Sequence, residues 1–313
     1  MLWVSTIGTG LGIGLAAVGR PAYINGARDA DLGRDRSVEA LRRRTAEVLD
    51  AAYAGGIRYV DTARSYGLAE AFLAAWLESR PDVTDVLVAS KWGYTYVGEW
   101  RLERDVHEVK DHSSAAFARQ LGETRALLGD RLDVYQIHSL VPSSPALDSP
   151  ELLGALARLR DSGVRVGFST SGPAQADVVR RALGVTVGGA PLFSVVQSTW
   201  NLLEPSVGPA LAEAADAGLD VVVKESLANG RLSAAEATGP VTAAADDLGV
   251  GADELAMAVA LAQPWVSRVL TGAVTPEQIT RNLRAARLPV PADLAFPEEP
   301  SAYWETRSRR PWA

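Results

Sequence analysis

Four residues of different chemistry stand at one kind of position in this chain. Asp61, Lys91 and His138 each close a short apolar segment, and Tyr66 follows Asp61 by five residues, an offset that lets it fold back over its neighbours. A tyrosine with a pKa of about 10 is a poor proton donor near neutrality. A nearby ammonium favours the phenolate and is expected to lower that pKa by about a unit or more. A carboxylate beside the lysine keeps it charged and in place. A histidine can donate a hydrogen bond to a carbonyl oxygen and orient it. Together such groups polarise a C=O and deliver or remove a proton. This suits hydride transfer to or from a carbonyl, provided a nicotinamide lies beside it. Each residue alone has a plainer reading: a helix cap for Asp61, a packing ring for Tyr66, a solvated strand end for Lys91, a core imidazole for His138. Their occurrence together at successive strand ends carries the catalytic reading.

The elements that must position them alternate. Apolar segments at 57–60, 85–89, 133–137, 164–168, 194–197, 220–224 and 266–270 read as buried strands. Amphipathic stretches at 36–54, 68–79, 111–128, 150–161, after Pro173, at 207–217, within 233–262 and at 276–286 read as helices. The stretch 92–110 reads as irregular. With a first strand inside the apolar, glycine-rich segment 2–19, about eight strand–helix units result. Continuous apolar strands between helices indicate a covered parallel sheet, and eight units close most naturally into a (β/α)8 barrel of the α/β class. A doubly wound sheet is the alternative. The expectation is one domain over 1–313, with a tail from about 288 to 313 lying over one barrel end. Reactive residues of such a barrel collect at the C-terminal ends of the strands. Those ends carry Asp61, Lys91, His138, Ser169, Gln197, Lys224 and Thr271.

The composition narrows the class of function. The 313 residues carry 31 Lys and Arg against 38 Asp and Glu, a formal charge of −7, and no cysteine. Without cysteine there are no disulfides, thiolate zinc sites, iron–sulfur clusters or cysteine nucleophiles. Only His107, His112 and His138 could supply imidazole, so no metal site is expected. The acidic balance argues against a nucleic-acid partner. Segment 2–19 lacks the basic start of a signal peptide, since the first basic residue is Arg20. The expectation is a cytoplasmic protein without membrane attachment. The run Gly12-Ile13-Gly14-Leu15-Ala16-Ala17 fits G-x-G-x-x-A, but Pro21, Asn25 and Gly26 break the helix a dinucleotide fold would need there. A glycine loop near a ligand is retained, with Gly12 in it.

Taken as strings, VDTARSYG with Asp61 and Tyr66, SKWG with Lys91, and DVYQIHS with His138 resemble the aldo-keto reductase family. GFST at 167–170, VVQSTWN at 195–201 and TGAVTPEQITRN at 271–282 extend the resemblance over essentially the whole chain. It implies a (β/α)8 barrel, NADP(H) or NAD(H) bound without a Rossmann fold, and a reversible interconversion of a small carbonyl and its alcohol. It makes Tyr66 the general acid/base, tuned by Asp61 and Lys91, with His138 orienting the substrate carbonyl. Ser169 and Gln197 match residues that bind the nicotinamide carboxamide. Thr170 stands where the family usually has Asn. KESLANGRL matches the loop along the pyrophosphate, with Lys224, Glu225, Ser226, Leu227 and Gly230 implied at the cofactor and the amides around Leu227, Ala228 and Gly230 near phosphate oxygens. Lys224 replaces a Tyr that often stacks on the nicotinamide. That string also resembles a branch containing sugar dehydrogenases.

At the adenosine end many members carry Lys-Ser and an Arg where this chain has Gly272-Ala273 and Gln278. Gln278 and Asn282 are implied at the adenine. Losing charge-assisted contacts worth about 1.5–3 kcal/mol each implies a weakened preference for NADP, with NAD accepted or preferred. Arg281 is the nearby candidate to compensate. On the substrate side Tyr23, Trp92, Tyr94 and Trp200, with Tyr96 and Trp100, suit a sugar face or an apolar aldehyde. Two rivals stand beside this reading. One is a Schiff-base aldolase using Lys91 or Lys224. The other is a nucleotide-sensing regulatory subunit without turnover.

Overall fold

The structure is a computed structural model that describes residues 9–24 and 31–312. Eight parallel strands close into a barrel: β1 (Leu11–Gly14), β2 (Tyr59–Asp61), β3 (Leu87–Trp92), β6 (Val134–Leu140), β7 (Arg165–Thr170), β10 (Val195–Thr199), β11 (Asp220–Lys224) and β12 (Arg268–Thr271). Their order around the barrel is β1-β12-β11-β10-β7-β6-β3-β2, so each strand lies beside its sequence neighbour in the barrel and β12 returns to β1. The shell consists of α1 (Val38–Ala54), α2 (Ala69–Glu78), α3 (Ser114–Leu128), α4 (Pro150–Asp161), α5 (Gln175–Leu183), α6 (Gly208–Asp216), α7 (Pro240–Asp247), α8 (Ala252–Leu261) and α9 (Pro276–Ala285). Two antiparallel hairpins lie outside the barrel: β4 (Tyr94–Tyr96) with β5 (Glu108–Lys110), and β8 (Thr186–Val187) with β9 (Ala190–Pro191).

Local chemistry sets the helix starts. Ser37, Ser113, Ser149 and Thr275 each accept an amide hydrogen of the first turn, and proline opens α4 and α9. Each helix then turns its apolar stripe inward, as α1 does with Leu41, Val48 and Leu49. The barrel interior is a separate small cluster of Tyr59, Ala89, Val134, Val195, Val222 and Leu270. Gly12 belongs to that interior. A Cβ there would sit 2.8 Å from Leu270 Cδ2 and 2.9 Å from Tyr59 Cδ1, so bulk from neighbouring strands takes its space.

The strands differ from the sequence expectation in one consistent way. β3, β6, β7, β10 and β12 run past the expected ends, to Trp92, Leu140, Thr170, Thr199 and Thr271. An apolar run ends at its first polar residue, but the backbone ladder does not, because these polar side chains are buried inside the barrel rim. The expected irregular stretch contains the β4–β5 hairpin, whose strands are too short and half-exposed to show a pattern. Residues 2–8 of the apolar first segment, and Asn25 and Gly26, lie outside the described residues. Beyond α9 lies a further helix, α10 (Pro300–Ser308). It is held against the loops after β10 and β11: Asn201 Nδ2 donates to Tyr303 Oη at 2.9 Å, and Phe296 N donates to Leu202 O at 2.8 Å.

Candidate active site

Asp61 ends β2, and its register partner on β3 is Ala89, which places Lys91 two residues further along the adjacent strand. His138 lies on β6 where the register with β7 shifts, beside Ser139 with a left-handed φ of 56°. Tyr66 returns over this rim on the tight loop after β2. Tyr66 N donates to Ala63 O, and Leu68 N donates to Gly19 O at 2.8 Å. Gly67 has φ 63°, and a Cβ there would lie 2.5 Å from Gly19 O, so the loop can press against the β1 loop only with glycine at that position. Arg64 in the same loop is paired with buried Glu70, which also accepts from Ser90 and Thr124.

The four side chains converge. Lys91 Nζ donates to Asp61 Oδ1, to Thr62 O at 3.0 Å and, more loosely, towards Tyr66 Oη at 3.4 Å. His138 Nε2 stands 3.5 Å from the same phenol oxygen, with the two rings edge-on at 82°. Gln197 Nε2 donates to Asp61 Oδ2 at 2.8 Å. His112 Nε2 donates to His138 O at 2.8 Å and fixes the backbone behind the imidazole.

The electrostatics correct one expectation. The Tyr66 pKa is not lowered; burial raises it well above 10, and the Asp61 carboxylate adds to that, while the Arg20 guanidinium pulls the other way. Lys91 is tied to Asp61, so its charge is largely balanced before it reaches the phenol. Burial also carries the His138 pKa well below its ordinary value, helped by Lys91, Lys224 and Arg20. The pair therefore presents a protonated phenol beside a neutral imidazole. Tyr94 is pushed up to about 12 by burial and Glu108.

A cavity of about 670 Å³ opens at the C-terminal ends of the strands. Of the sequence-derived residues, Tyr66, Asp61 and His138 line it, as do Gln197, Lys224, Glu225, Ser226, Leu227, Gly230, Gly272, Ala273, Gln278, Asn282, Tyr23 and Tyr94. Lys91 lies beneath the wall. Five others are placed elsewhere. Gly12 is spent on barrel packing. Ser169 is buried, its Oγ accepting from Ser139 N at 2.8 Å. Thr170 is buried between Ser198 Oγ at 2.7 Å and Gln175 Oε1 at 3.2 Å. Trp92 packs edge-on against Phe117, with ring centroids 5.1 Å apart, and Trp200 against Trp265 at 5.9 Å. Burial claims both indoles: Trp92 is the last residue of β3 and Trp200 directly follows β10, and both side chains pack beneath the rim. Two further aromatics also turn to packing: Trp100 Nε1 donates to Arg36 O at 2.8 Å, and Tyr96 Oη accepts from Trp100 N. The Ala228 and Gly230 amides close turns onto Glu225 O and Leu227 O, so they are not free to meet a phosphate. Among the described residues, the N–H groups of Ser226 and Leu227 make no backbone hydrogen bond.

Sequence reading missed Arg20, Glu108, Ser139, Arg307 and Trp312, all on the cavity wall. Arg20 is 1 % exposed; it donates to Ser65 O at 3.0 Å and Glu108 at 2.8 Å, and lies over the rings of Tyr23, Tyr66 and Trp312. Arg307 of α10 forms two hydrogen bonds to Glu225, at 2.7 and 2.6 Å. Lys224 Nζ donates to the same carboxylate at 3.2 Å and to Thr199 Oγ1 at 2.7 Å. No local motif marks such partners, because they come from a hairpin and a tail far away in sequence.

This combination, a closed (β/α)8 barrel with a Tyr-Lys-Asp-His cluster at its strand ends, defines a class of oxidoreductase. The Aldo/keto reductase family model matches residues 32–294, and the chain belongs to that family. It is 27 % identical to the aldo-keto reductase str7 of Strobilurus tenacellus over 230 residues, which are 74 % of this chain and 60 % of that protein, so the chain spans less than two thirds of that relative. It is 26 % identical to a D-threo-aldose 1-dehydrogenase of a Pseudomonas species, over 79 % of this chain and 84 % of the relative. The structure of an aldo-keto reductase from Klebsiella pneumoniae in complex with NADPH shares the fold, with a TM-score of 0.63 at 20 % identity over 91 % of this chain and 87 % of that one.

Proposed function

We propose that this protein interconverts a carbonyl (an aldehyde, ketone or sugar) and the matching alcohol, using NADP(H) or NAD(H), with Tyr66 as general acid/base. One observation carries the reading. The Tyr66 hydroxyl faces the cavity between Lys91 Nζ at 3.4 Å and His138 Nε2 at 3.5 Å, and among the described residues it has no shorter partner. A phenol so placed is available to an incoming oxygen.

The residues present fit a dinucleotide. The cavity extends from Tyr66 past Ser226 and Leu227 to Gly272, Gln278 and Asn282, and a Cβ added at Gly272 would meet nothing within 4 Å. The amides of Ser226 and Leu227 suit phosphate oxygens. The NADPH named in the Klebsiella structure and the aldose named in the Pseudomonas enzyme point the same way. When bound, the nicotinamide supplies the hydride that joins or leaves the carbonyl carbon. His138, neutral, donates a hydrogen bond to the carbonyl oxygen and holds it against Tyr66. Tyr66 gives its proton to the alkoxide that forms in reduction and takes it back in oxidation. Lys91 and Asp61 steady the phenolate left behind. Tyr23, Tyr94 and the Arg20–Glu108 pair shape the substrate side.

The Schiff-base reading loses Lys91, whose side chain is fully buried on Asp61, and keeps only Lys224 on the wall. Among the described residues no helix is long and apolar enough to cross a membrane. The acidic balance of the chain speaks against a nucleic-acid partner, and that absence belongs to this proposal.

The test is a panel of aldehydes, sugars and alcohols with both cofactors, run beside Tyr66→Phe. The expected result is multiple turnover of NAD(P)(H) and a kcat lower by about 10²-fold in the variant. A cofactor that binds and never turns over would favour a regulatory subunit. An adduct trapped by borohydride at Lys224 would favour an aldolase.

A further inference from the structure

We infer that Asp31, backed by Asp253, selects NAD(H) over NADP(H) at the end of the cavity remote from Tyr66. The inference rests on the nicotinamide reading above: with the nicotinamide beside Tyr66, the adenosine half runs towards the residues after β12. There the wall consists of Gly272, Ala273, Val274, Gln278, Arg281 and Asn282, with Asp31 and Asp253 facing them.

Asp31 is fixed. Gln278 donates from Nε2 to Asp31 Oδ2 at 2.8 Å, and its own Oε1 accepts from Val274 N at 2.7 Å. One amide side chain thus ties the carboxylate to the start of α9, across 247 residues of sequence. Asp253, in the first turn of α8, is 8 % exposed and stands 3.6 Å from Arg281 Nε. Arg281 is the cation of this end among the described lining residues, and it leans on that carboxylate. Two carboxylates against one arginine leave the end with an excess negative charge.

A ribose 2′-hydroxyl can donate to Asp31 Oδ1, the same chemistry by which an acidic residue recognises NAD in doubly wound dinucleotide folds. A 2′-phosphate carries about −1.5 to −2 charges and only acceptor oxygens. It would meet Asp31 without a hydrogen to share, and Arg281 already engaged. The loss of basic residues at 272–278 removes attraction for a phosphate, and Asp31 adds repulsion.

The experiment is equilibrium titration of the purified full-length protein with NADH and with NADPH, followed by tryptophan quenching, for wild type, Asp31→Asn and Asp253→Asn. Binding of NADH at least about tenfold tighter than NADPH is expected in wild type, the size of one charge-assisted hydrogen bond. Asp31→Asn should narrow that ratio about tenfold, by weakening NADH and strengthening NADPH, and Asp253→Asn should narrow it less. NADPH binding as tight as NADH in wild type overturns the inference and leaves the nicotinamide reading standing. An unchanged ratio in Asp31→Asn overturns the role of Asp31. If a folded protein binds neither dinucleotide, the nicotinamide reading falls, and the inference with it.

Discussion

Gln197 and Asp61, 136 residues apart, meet across the barrel: Gln197 Nε2 donates to Asp61 Oδ2 at 2.8 Å while Lys91 holds the other oxygen. Each carboxylate oxygen thereby has a donor, and the lysine is oriented. The pair is buried, at 0 % and 3 % side-chain exposure, so it fixes geometry more than it stabilises the fold. Asp61→Asn leaves an ammonium without a counter-charge and should cost about 3–5 kcal/mol. Lys91→Met leaves a buried carboxylate and should cost a similar amount. The double variant Asp61→Asn/Lys91→Met should cost much less than the sum, since neither charge remains to be desolvated. Urea titration of all four proteins measures the coupling. Additive single effects would show that the two charges are independently solvated and would remove the pair from the account.

The proton inventory of the site fixes a pH profile. Tyr66 is held protonated by burial and by Asp61, and His138 is held neutral by burial and by the cations around it. For carbonyl reduction both states are the productive ones. The kcat/KM for reduction should therefore show no inflection between about pH 6 and about pH 9. A steady-state profile in constant ionic strength checks this. An inflection near 6.5 that vanishes in His138→Gln would show the imidazole titrating in its ordinary range and would contradict the buried, neutral assignment.

Much of this is legible in sequence because strand ends and amphipathic stretches are local signals. The eight strand–helix units and Asp61, Tyr66, Lys91 and His138 at the rim follow from patterns a few residues long. Trp92 and Trp200 pack in the core rather than facing a ligand, which sequence does not show because an aromatic at a strand end has the same signature in either place. Arg20 with Glu108, Arg307 with Glu225, and Asp31 with Gln278 were illegible for a different reason. Each pair joins elements far apart in sequence, and nothing local in either residue announces the other. The Tyr66 shift runs opposite to the sequence expectation because proximity to Lys91 is visible in a motif, while burial is not.

The histidines give the folded state an acid-sensitive face. His112 is held down at about 4 by burial, with Lys110 adding to the effect although its bond to His138 O opposes it. The unfolded value is about 6.5. Between those values the unfolded chain binds more protons, so stability is greatest above about pH 6.5 and declines as the pH falls towards 4. At about pH 5 unfolding should take up close to one proton through His112 alone. His112→Gln retains an amide donor for His138 O and removes that proton. Calorimetric unfolding in buffers of different ionisation enthalpy should show the uptake lowered by about one. An unchanged uptake would mean that His112 already titrates in the native protein.

Glu225 makes the opposite contribution from the tail. Burial opposes its charge, yet Arg307 and Lys224 bring the carboxyl down to about 2. A depressed carboxyl stabilises the fold fully above its ordinary value of 4.5 and loses that stabilisation as the pH falls towards 2. Its backbone is left-handed, with φ 57°, a conformation that costs energy for a side-chain-bearing residue and that the ion pairs with Arg307 and Lys224 help to hold. Because Arg307, Ser308 and Trp312 line the cavity from the tail, the same ion pair sets the shape of the substrate side. Glu225→Gln removes the charge that holds Arg307 and Lys224 together and should lower stability near neutrality by about 3 kcal/mol. It should also flatten the acid limb of the stability profile and raise KM more than it lowers kcat. Arg307→Met should reproduce the KM effect and speed proteolysis of the C-terminal helix. A Glu225→Gln protein with wild-type KM and an intact acid limb would show that the tail is seated by Tyr303 and Glu298 instead, through Asn201 and Arg231.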